Sequence, residues 1–384
     1  MIYFDNAATT LNKPETVYRA MKEGMTLCAN PGRAGHKPSM LAAKKVFVCR
    51  EEIAELFNCA FAERVVFTYN ATYALNFAIK SILHSGGHAL ISSYEHNSVV
   101  RPLEALKEYG VTYTVVKSRL FDSENAISEF EKAIKKESPQ CVIINHVSNV
   151  FGYELPLEKI DHLCSIYRVP LIVDASQSAG SIKIDVAKLK SVAYICMPGH
   201  KGLFGPQGTG IMLACNDKYL YSTIQGGTGS ISADFKHPEF LPDVFEGGTL
   251  NVPGICGLYE GVKFIKKMGF GYIHQKHRFL IEHLKDKLYS FEGIRIYSGP
   301  FHEHGVLAFS VEGFDAEDIC YGLSNADVCV RGGIHCSPLA HTVTDTQNEG
   351  LIRVSFSVFN SKSEIDAFAL ILKKILCKKS PLIY

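Results

Sequence analysis

The chain has 384 residues, 47% of them apolar and 21% charged, which excludes a disordered chain and a coiled coil. Its 40 basic residues face 39 acidic ones, so there is no broad positive field for gripping nucleic acid. The 12 cysteines include no Cys-x-x-Cys pair and mostly have apolar neighbours, which argues against a disulfide framework or a zinc site.

The chain therefore reads as reduced, with cysteine used mainly as a small core residue and no metal expected. The segment Met1-Ile2-Tyr3-Phe4-Asp5-Asn6 lacks the basic and apolar regions of a secretory signal. No stretch approaches the roughly 20 apolar residues that span a bilayer. A cytoplasmic protein without membrane contact is the expectation.

From residue 64 onward, short apolar runs alternate with amphipathic stretches of helix length. Val65-Val66-Phe67-Thr68 predicts a strand and 72–83 the helix after it. Ala89-Leu90-Ile91-Ser92 is a second strand, with a helix over 99–109. A third strand over 111–116 precedes a polar-faced helix over 124–136. Cys141-Val142-Ile143-Ile144 and Leu171-Ile172-Val173 are further strands around a helix over 157–167, and Val192 to Cys196 is another apolar run. Continuous apolar strands separated by helices predict a buried, largely parallel sheet wound by right-handed crossovers.

The pattern changes near Pro253. Helices over 257–268 and 272–289 are followed by strands at Ile294-Arg295-Ile296, Val306-Leu307-Ala308-Phe309, Val328-Cys329-Val330 and 352–355. Helices from Ala316 and Ser363 complete a smaller α+β unit. The expected division is a large α/β domain over 14–253 and a small domain made of 1–13 and 254–384.

Ligands of open α/β sheets bind beyond the carboxyl ends of the strands. Four such ends carry chemistry. Asp174, in Asp174-Ala175-Ser176-Gln177, ends a buried run, where a carboxylate caps a helix, pairs with a buried cation or meets a protonated ring nitrogen. Lys201 lies in Met197-Pro198-Gly199-His200-Lys201-Gly202, where a lysine with a lowered pKa forms a Schiff base with an aldehyde. Tyr69-Asn70-Ala71-Thr72 opens a helix, offering a hydroxyl and free amides to a phosphate, or simply a cap. His96, in Tyr94-Glu95-His96-Asn97, stacks on a planar ring or caps a helix. An amine, a carboxylate, a ring-facing imidazole and an anion site together match the groups of pyridoxal 5′-phosphate.

With these motifs the chain resembles the class V aminotransferase group of fold-type I pyridoxal-phosphate enzymes, and within it the cysteine desulfurases and selenocysteine lyases. The resemblance runs from Tyr3-Phe4-Asp5-Asn6-Ala7-Ala8-Thr9-Thr10 to Arg353. It implies the fold of that class: a large domain with a mainly parallel mixed sheet plus a smaller α+β domain. It also implies that Lys201 links to the cofactor aldehyde, that Asp174 and Gln177 face the ring nitrogen and ring hydroxyl, and that His96 lies against the ring. Ala71, Thr72 and His200 match the phosphate end. Thr249, in Phe245-Glu246-Gly247-Gly248-Thr249-Leu250-Asn251, matches a threonine reaching the phosphate from a second subunit, so a homodimer is expected.

On the substrate side the resemblance implies Arg353 and Arg331 for the substrate carboxylate, with Asn149 and His36 lining the site and Asn149 also at the cofactor. Cys336, in Val330-Arg331-Gly332-Gly333-Ile334-His335-Cys336-Ser337-Pro338, matches the sulfur-accepting cysteine on a short loop like that of group II desulfurases. The chain departs from the family pattern at Ala71, Tyr73, Pro198 and Ile334. The implied reaction converts L-cysteine to L-alanine with transfer of sulfur to Cys336, followed by delivery to an acceptor protein. Selenocysteine lyase activity, or another class V aminotransferase or β-lyase reaction in which Cys336 is incidental, stands as the alternative.

Overall fold

The computed structural model describes residues 1–32, 35–299 and 304–379. The chain opens with β1 (Ile2–Tyr3), α1 (Glu15–Leu27) and α2 (Lys37–Leu56). There follow β2 (Val65–Thr68), α3 (Ala71–Leu83), β3 (Gly87–Ser92), α4 (Asn97–Leu106), β4 (Val111–Val116) and α5 (Ser123–Glu137). Next come β5 (Cys141–Asn145), α6 (Leu157–Tyr167), β6 (Leu171–Asp174), β7 (Val192–Pro198) and β8 (Gly210–Ala214). α7 (Val252–Met268) and α8 (Phe270–Leu288) lead to β9 (Ile294–Tyr297), β10 (Val306–Val311), α9 (Ala316–Ser324) and β11 (Val328–Cys329). α10 (Pro338–Thr342), β12 (Ile352–Ser355) and α11 (Lys362–Lys379) close the described chain.

A seven-stranded sheet has the order β2-β8-β7-β6-β5-β3-β4. β8 runs antiparallel to both its neighbours, and the other pairs are parallel. This is the expected mainly parallel mixed sheet. Period-two alternation explains its two covered faces. Val142 and Ile144 of β5 enter one core with Phe130 of α5 and Leu163 of α6. Cys141 and Ile143 point the other way, into a core with Leu75 of α3 and Leu103 of α4. Both faces exclude water, so β5 reads as an unbroken apolar run.

A smaller layer pairs β12, β10 and β9 antiparallel, with β1 parallel to β11 beside it. Its core joins Leu284 of α8, Phe309 of β10, Leu323 of α9 and Phe368 of α11 to Phe4. α7 packs on α1 and α2, and its Ile255, Leu258 and Val262 belong to the larger core. The expected boundary at 253 thus falls in the first turn of a helix committed to the large sheet. α7 starts five residues ahead of the expected 257 because Asn251 Oδ1 caps it, accepting from Gly254 N–H at 3.1 Å, with Pro253 in the first turn. β1, α1, α2, β8 and α10 lie outside the expected set. No described helix is long and apolar enough to cross a membrane.

The sheet edge is pinned by a buried ion pair. Arg50 of α2 and Glu246 are 7% and 8% exposed and hydrogen-bond to each other, and Glu246 Oε1 also accepts from Phe67 N–H of β2 at 2.6 Å. Removing one partner of such a pair strands a buried charge, at a cost of about 3–5 kcal/mol. Glu246→Ala is expected to lower unfolding free energy by that order in chemical denaturation; a loss under about 1 kcal/mol would show that Arg50 finds water instead.

Candidate active site

The parallel strands deliver their carboxyl ends to one side of the sheet, and each expected strand-end residue follows. After β2, Asn70 Oδ1 caps α3 by accepting from Tyr73 N–H at 3.1 Å, and helix geometry leaves the Ala71 and Thr72 amides free of intrahelical partners. β8 comes so close to this turn that a Cβ on Gly210 would sit 2.6 Å from Asn70 Cα. After β3, His96 caps α4, its Nδ1 accepting from Ser98 N–H at 3.0 Å, and its ring also borders the site. Burial pulls His96 down to about 4.

β5 and β6 lie in register at Asn145 and Asp174. Asp174 is 2% exposed, and its Oδ1 accepts from Ser176 N–H at 2.9 Å. Among the described residues no cation pairs with it within 4.0 Å. Glu95 is buried nearby; desolvation first, and Asp174 among the lesser causes, push it up to about 8.

After β7, Lys201 is fixed from the far end of the chain. Thr10 Oγ1 donates to His200 O at 3.0 Å and Lys201 O at 3.2 Å, and Thr10 N–H donates to His200 O at 3.0 Å. On the other flank a Cβ on Gly180, whose φ is +86°, would sit 2.2 Å from Gly202 O, so two glycine backbones touch there. Burial pulls Lys201 down to about 8, opposed by Asp174 and reinforced by Arg353 and Arg331. A fraction of the amine is thus free base near neutral pH. Burial likewise pulls His200 down to about 4, and its Nδ1 lies 3.0 Å from Thr9 Oγ1.

The cysteine loop closes the site from the small layer. Arg331 and Arg353 pair backbone to backbone as an antiparallel bridge. His335 and Cys336 both take φ of +57°, a left-handed conformation costly for residues with a Cβ. Hydrogen bonds hold it: Asn149 Nδ2 donates to His335 O at 2.8 Å, Ser337 Oγ donates to Asn149 Oδ1 at 2.7 Å, and Asn97 N–H donates to Cys336 O at 2.8 Å. The Asn149 side chain is thus occupied by the loop. Cys336 is exposed, with Arg331 Nη2 4.0 Å from its Sγ. By contrast, burial pushes the Cys49, Cys141, Cys164 and Cys196 thiols up. Arg353 is 1% exposed; its Nη2 donates to Asp5 Oδ1 at 2.7 Å and its Nη1 to Asn149 O at 2.9 Å, while Nε is buried without a partner.

One cavity of about 220 Å³ collects Ala71, Thr72, His96, Asn149, Asp174, Gln177, His200, Lys201, Arg331, Cys336 and Arg353. Gln177 reaches it with its Nε2 donating to Ala7 O at 3.0 Å. Within the single chain, His36 and Thr249 do not join it. His36 is exposed and caps α2, accepting from Ser39 N–H at 3.3 Å; Thr249 is exposed on the wall of a separate cavity beside Tyr69 and Tyr73. Arg33 and Ala34, in the motif before His36, lie outside the described residues. Asn70, Ser98, Asn145 and Ser176 also line the cavity unannounced. Only their closeness to strand ends could have marked them.

This donor set fits pyridoxal phosphate. A lysine amine with lowered pKa suits the aldehyde, an unpaired buried carboxylate suits a protonated ring nitrogen, and a helix N-terminus with a hydroxyl suits the phosphate.

Comparison with known proteins agrees. The family described as Aminotransferase class-V matches residues 2–368. A protein named probable cysteine desulfurase from Methanothermobacter thermautotrophicus is 30% identical, covering 97% of this chain and 94% of its own. One of the same name from Pyrococcus abyssi is 31% identical, over 98% and 94%. A solved structure of cysteine desulfurase from Thermococcus onnurineus NA1 superposes with a TM-score of 0.89 at 29% identity, over 98% of this chain and 95% of that one.

Neutral buried histidines give the fold a pH signature. His96 and His200 sit at about 4, His277 at about 3 and His335 well below the ordinary 6.5, each chiefly through burial. The unfolded chain binds protons at these positions from pH 6.5 downward while the fold does not, so stability falls as pH drops from 6.5 toward 4. Glu95 runs the other way but is a single group. Calorimetry is expected to show a melting temperature that declines through this window and declines less in His277→Gln. A flat profile between pH 7 and 5 would contradict the burial assigned to these rings.

Proposed function

The chain belongs to the class V aminotransferase family, and from that membership together with the cavity chemistry we propose that it is a pyridoxal-phosphate-dependent cysteine desulfurase. The observation that carries the reading is an exposed cysteine, Cys336, on the wall of the cavity that holds Lys201 and Asp174. When bound, pyridoxal phosphate supplies an aldehyde for an amino group and a protonated ring that takes up electrons released at the α-carbon.

Thr72, the α3 amides and His200 would hold its phosphate, Asp174 its ring nitrogen, Gln177 its ring hydroxyl and His96 its ring face. Arg353 and Arg331 bring guanidinium groups to the same cavity and bind the carboxylate of L-cysteine. With Nη1 and Nη2 each making one bond, Arg353 keeps Nε–H and a second N–H on each Nη free of a partner among the described residues. Lys201 Nζ, pulled down to about 8, takes the α-proton of the substrate.

Cys336 acts as the nucleophile, with Arg331 Nη2 4.0 Å from its Sγ. Its Sγ attacks the substrate sulfur. A sulfur–sulfur bond forms on Cys336 as the substrate Cβ–S bond breaks; the electron pair passes to Cβ, one proton completes the methyl group, and Lys201 returns a proton to Cα to give alanine. Cys336 keeps the transferred sulfur as a persulfide for an acceptor protein. A homodimer, with Thr249 lent to the neighbouring site, and a cytoplasmic location complete the proposal.

Incubation with L-cysteine and pyridoxal phosphate is expected to add one sulfur to Cys336 in intact-protein mass spectrometry. Cys336→Ala should keep the visible band of the bound cofactor and lose alanine formation by at least about a hundredfold, whereas Lys201→Ala should lose both. Unchanged alanine production in Cys336→Ala would overturn the sulfur-transfer role and leave a different class V reaction.

A further inference from the structure

We propose that Ser98 is a further positioning residue of this site, its hydroxyl joining the anion-binding end at Thr72 to the imidazole of His96. The inference rests on the cofactor reading above and concerns a residue given no part in it.

Ser98 is buried in the first turn of α4 and lines the same cavity. Its Oγ lies 2.9 Å from Thr72 Oγ1 and 2.8 Å from His96 Nδ1. Its backbone N–H also donates to Nδ1, at 3.0 Å. An amide only donates, so Nδ1 is an acceptor and carries no proton. His96 is neutral at physiological pH: burial lowers it, Asp174 opposes, and Lys201, Arg331 and Arg101 add to the lowering. The single ring proton is therefore on Nε2.

The direction of the remaining bonds follows. Nδ1 has nothing to donate, so the Ser98 hydroxyl donates to it, and Ser98 Oγ in turn accepts from the Thr72 hydroxyl. One chain of hydrogen bonds runs from Thr72 through Ser98 to His96. At the helix start Asn70-Ala71-Thr72, Asn70 Oδ1 is taken by the Tyr73 amide and Ala71 has no hydroxyl, so Thr72 is the one hydroxyl offered there. An anion only accepts, so on arrival it takes the Thr72 proton, and the Ser98 hydroxyl turns from Nδ1 to donate to Thr72 Oγ1; Ser98 thus holds the Thr72 side chain in place with and without the anion, which lowers the ordering cost of binding. At the other end the Ser98 hydroxyl stabilises the neutral form of His96, so its loss makes the ring more basic.

The test uses the full chain freed of cofactor, in wild type, Ser98→Ala and Ser98→Thr. Pyridoxal phosphate is titrated while its visible band is followed, and the His96 ring is titrated by NMR in phosphate-free buffer. Ser98→Ala is expected to bind pyridoxal phosphate about three- to tenfold more weakly, with His96 titrating at higher pH, while Ser98→Thr, which keeps the hydroxyl, matches wild type on both counts. Unchanged affinity and an unchanged His96 titration in Ser98→Ala would overturn the proposal. So would equal weakening in Ser98→Ala and Ser98→Thr with His96 unmoved, since that pattern reports packing alone. If wild type itself develops no visible band, the cofactor reading fails, and this is told apart because all three proteins fail together.

Discussion

A carboxylate at the end of a strand buried on both faces must meet a positive charge or give up its own. Asp174 is in that position, and the chain supplies it an amide from Ser176 and no cation within ion-pair distance among the described residues. Its neighbour Glu95, also buried, is pushed up to about 8, chiefly by desolvation, and so is mostly protonated at neutral pH. The cations around the cavity are already spoken for in part: Arg353 by Asp5, and Lys201 by its own desolvation. In the function proposed above, the positive charge that Asp174 lacks is one the ligand would bring. The strand order, the glycine contacts at 180 and 202 and the capped helix starts serve to hold other groups around that demand.

The second constraint is that the cavity has walls from two layers. Their contact is partly apolar, with Tyr297 and Ala308 of the small layer in the larger core and Phe151 packed on Tyr297, and polar bonds make it specific. Residues 5–10 thread between them: Asp5 pairs with Arg353, Asn6 Nδ2 donates to Ser355 O at 2.9 Å, and Thr10 grips the Lys201 loop. On the opposite side Asn149, at the end of the large sheet, holds both sides of the cysteine by way of His335 and Ser337. The apolar contacts alone would allow several registers; these directional bonds select one.

Much of this was legible in the sequence, for a physical reason. Strands buried on both faces read as unbroken apolar runs, and their carboxyl ends are where ligands bind, so Lys201, Asp174, His96 and Thr72 could be picked out together. β8 was hidden because Ile211-Met212-Leu213-Ala214 follows a glycine-rich stretch that reads as loop, and its antiparallel direction has no local signal. α1 carries few buried positions for its length, and both α1 and α2 take their apolar partner, α7, from about 200 residues downstream. The resemblance placed Asn149 at the cofactor and substrate, while the structure spends its amide on the cysteine loop. That partnership depends on residues nearly 190 positions apart, a distance no local pattern reports. Ser98 drew no expectation, since nothing in sequence reveals which hydroxyls face each other across two helices.

The ion pair between Asp5 and Arg353 has a consequence for how the protein is made. Its partners are separated by 348 positions, and β1 likewise waits for β11. During synthesis the large sheet can collect its strands, and Thr9 and Thr10 with them, while Ile2, Tyr3 and Asp5 still lack β11 and Arg353. The Lys201 loop lacks neither sequence nor strand at that stage, yet its arginine neighbours and the reactive thiol have not emerged from the ribosome. Contacts this distant are the last to form. The cavity is therefore completed only once residues 331–353 have been made, and a chain cut short near residue 330 keeps Lys201 and Asp174 but lacks Cys336 and both arginines.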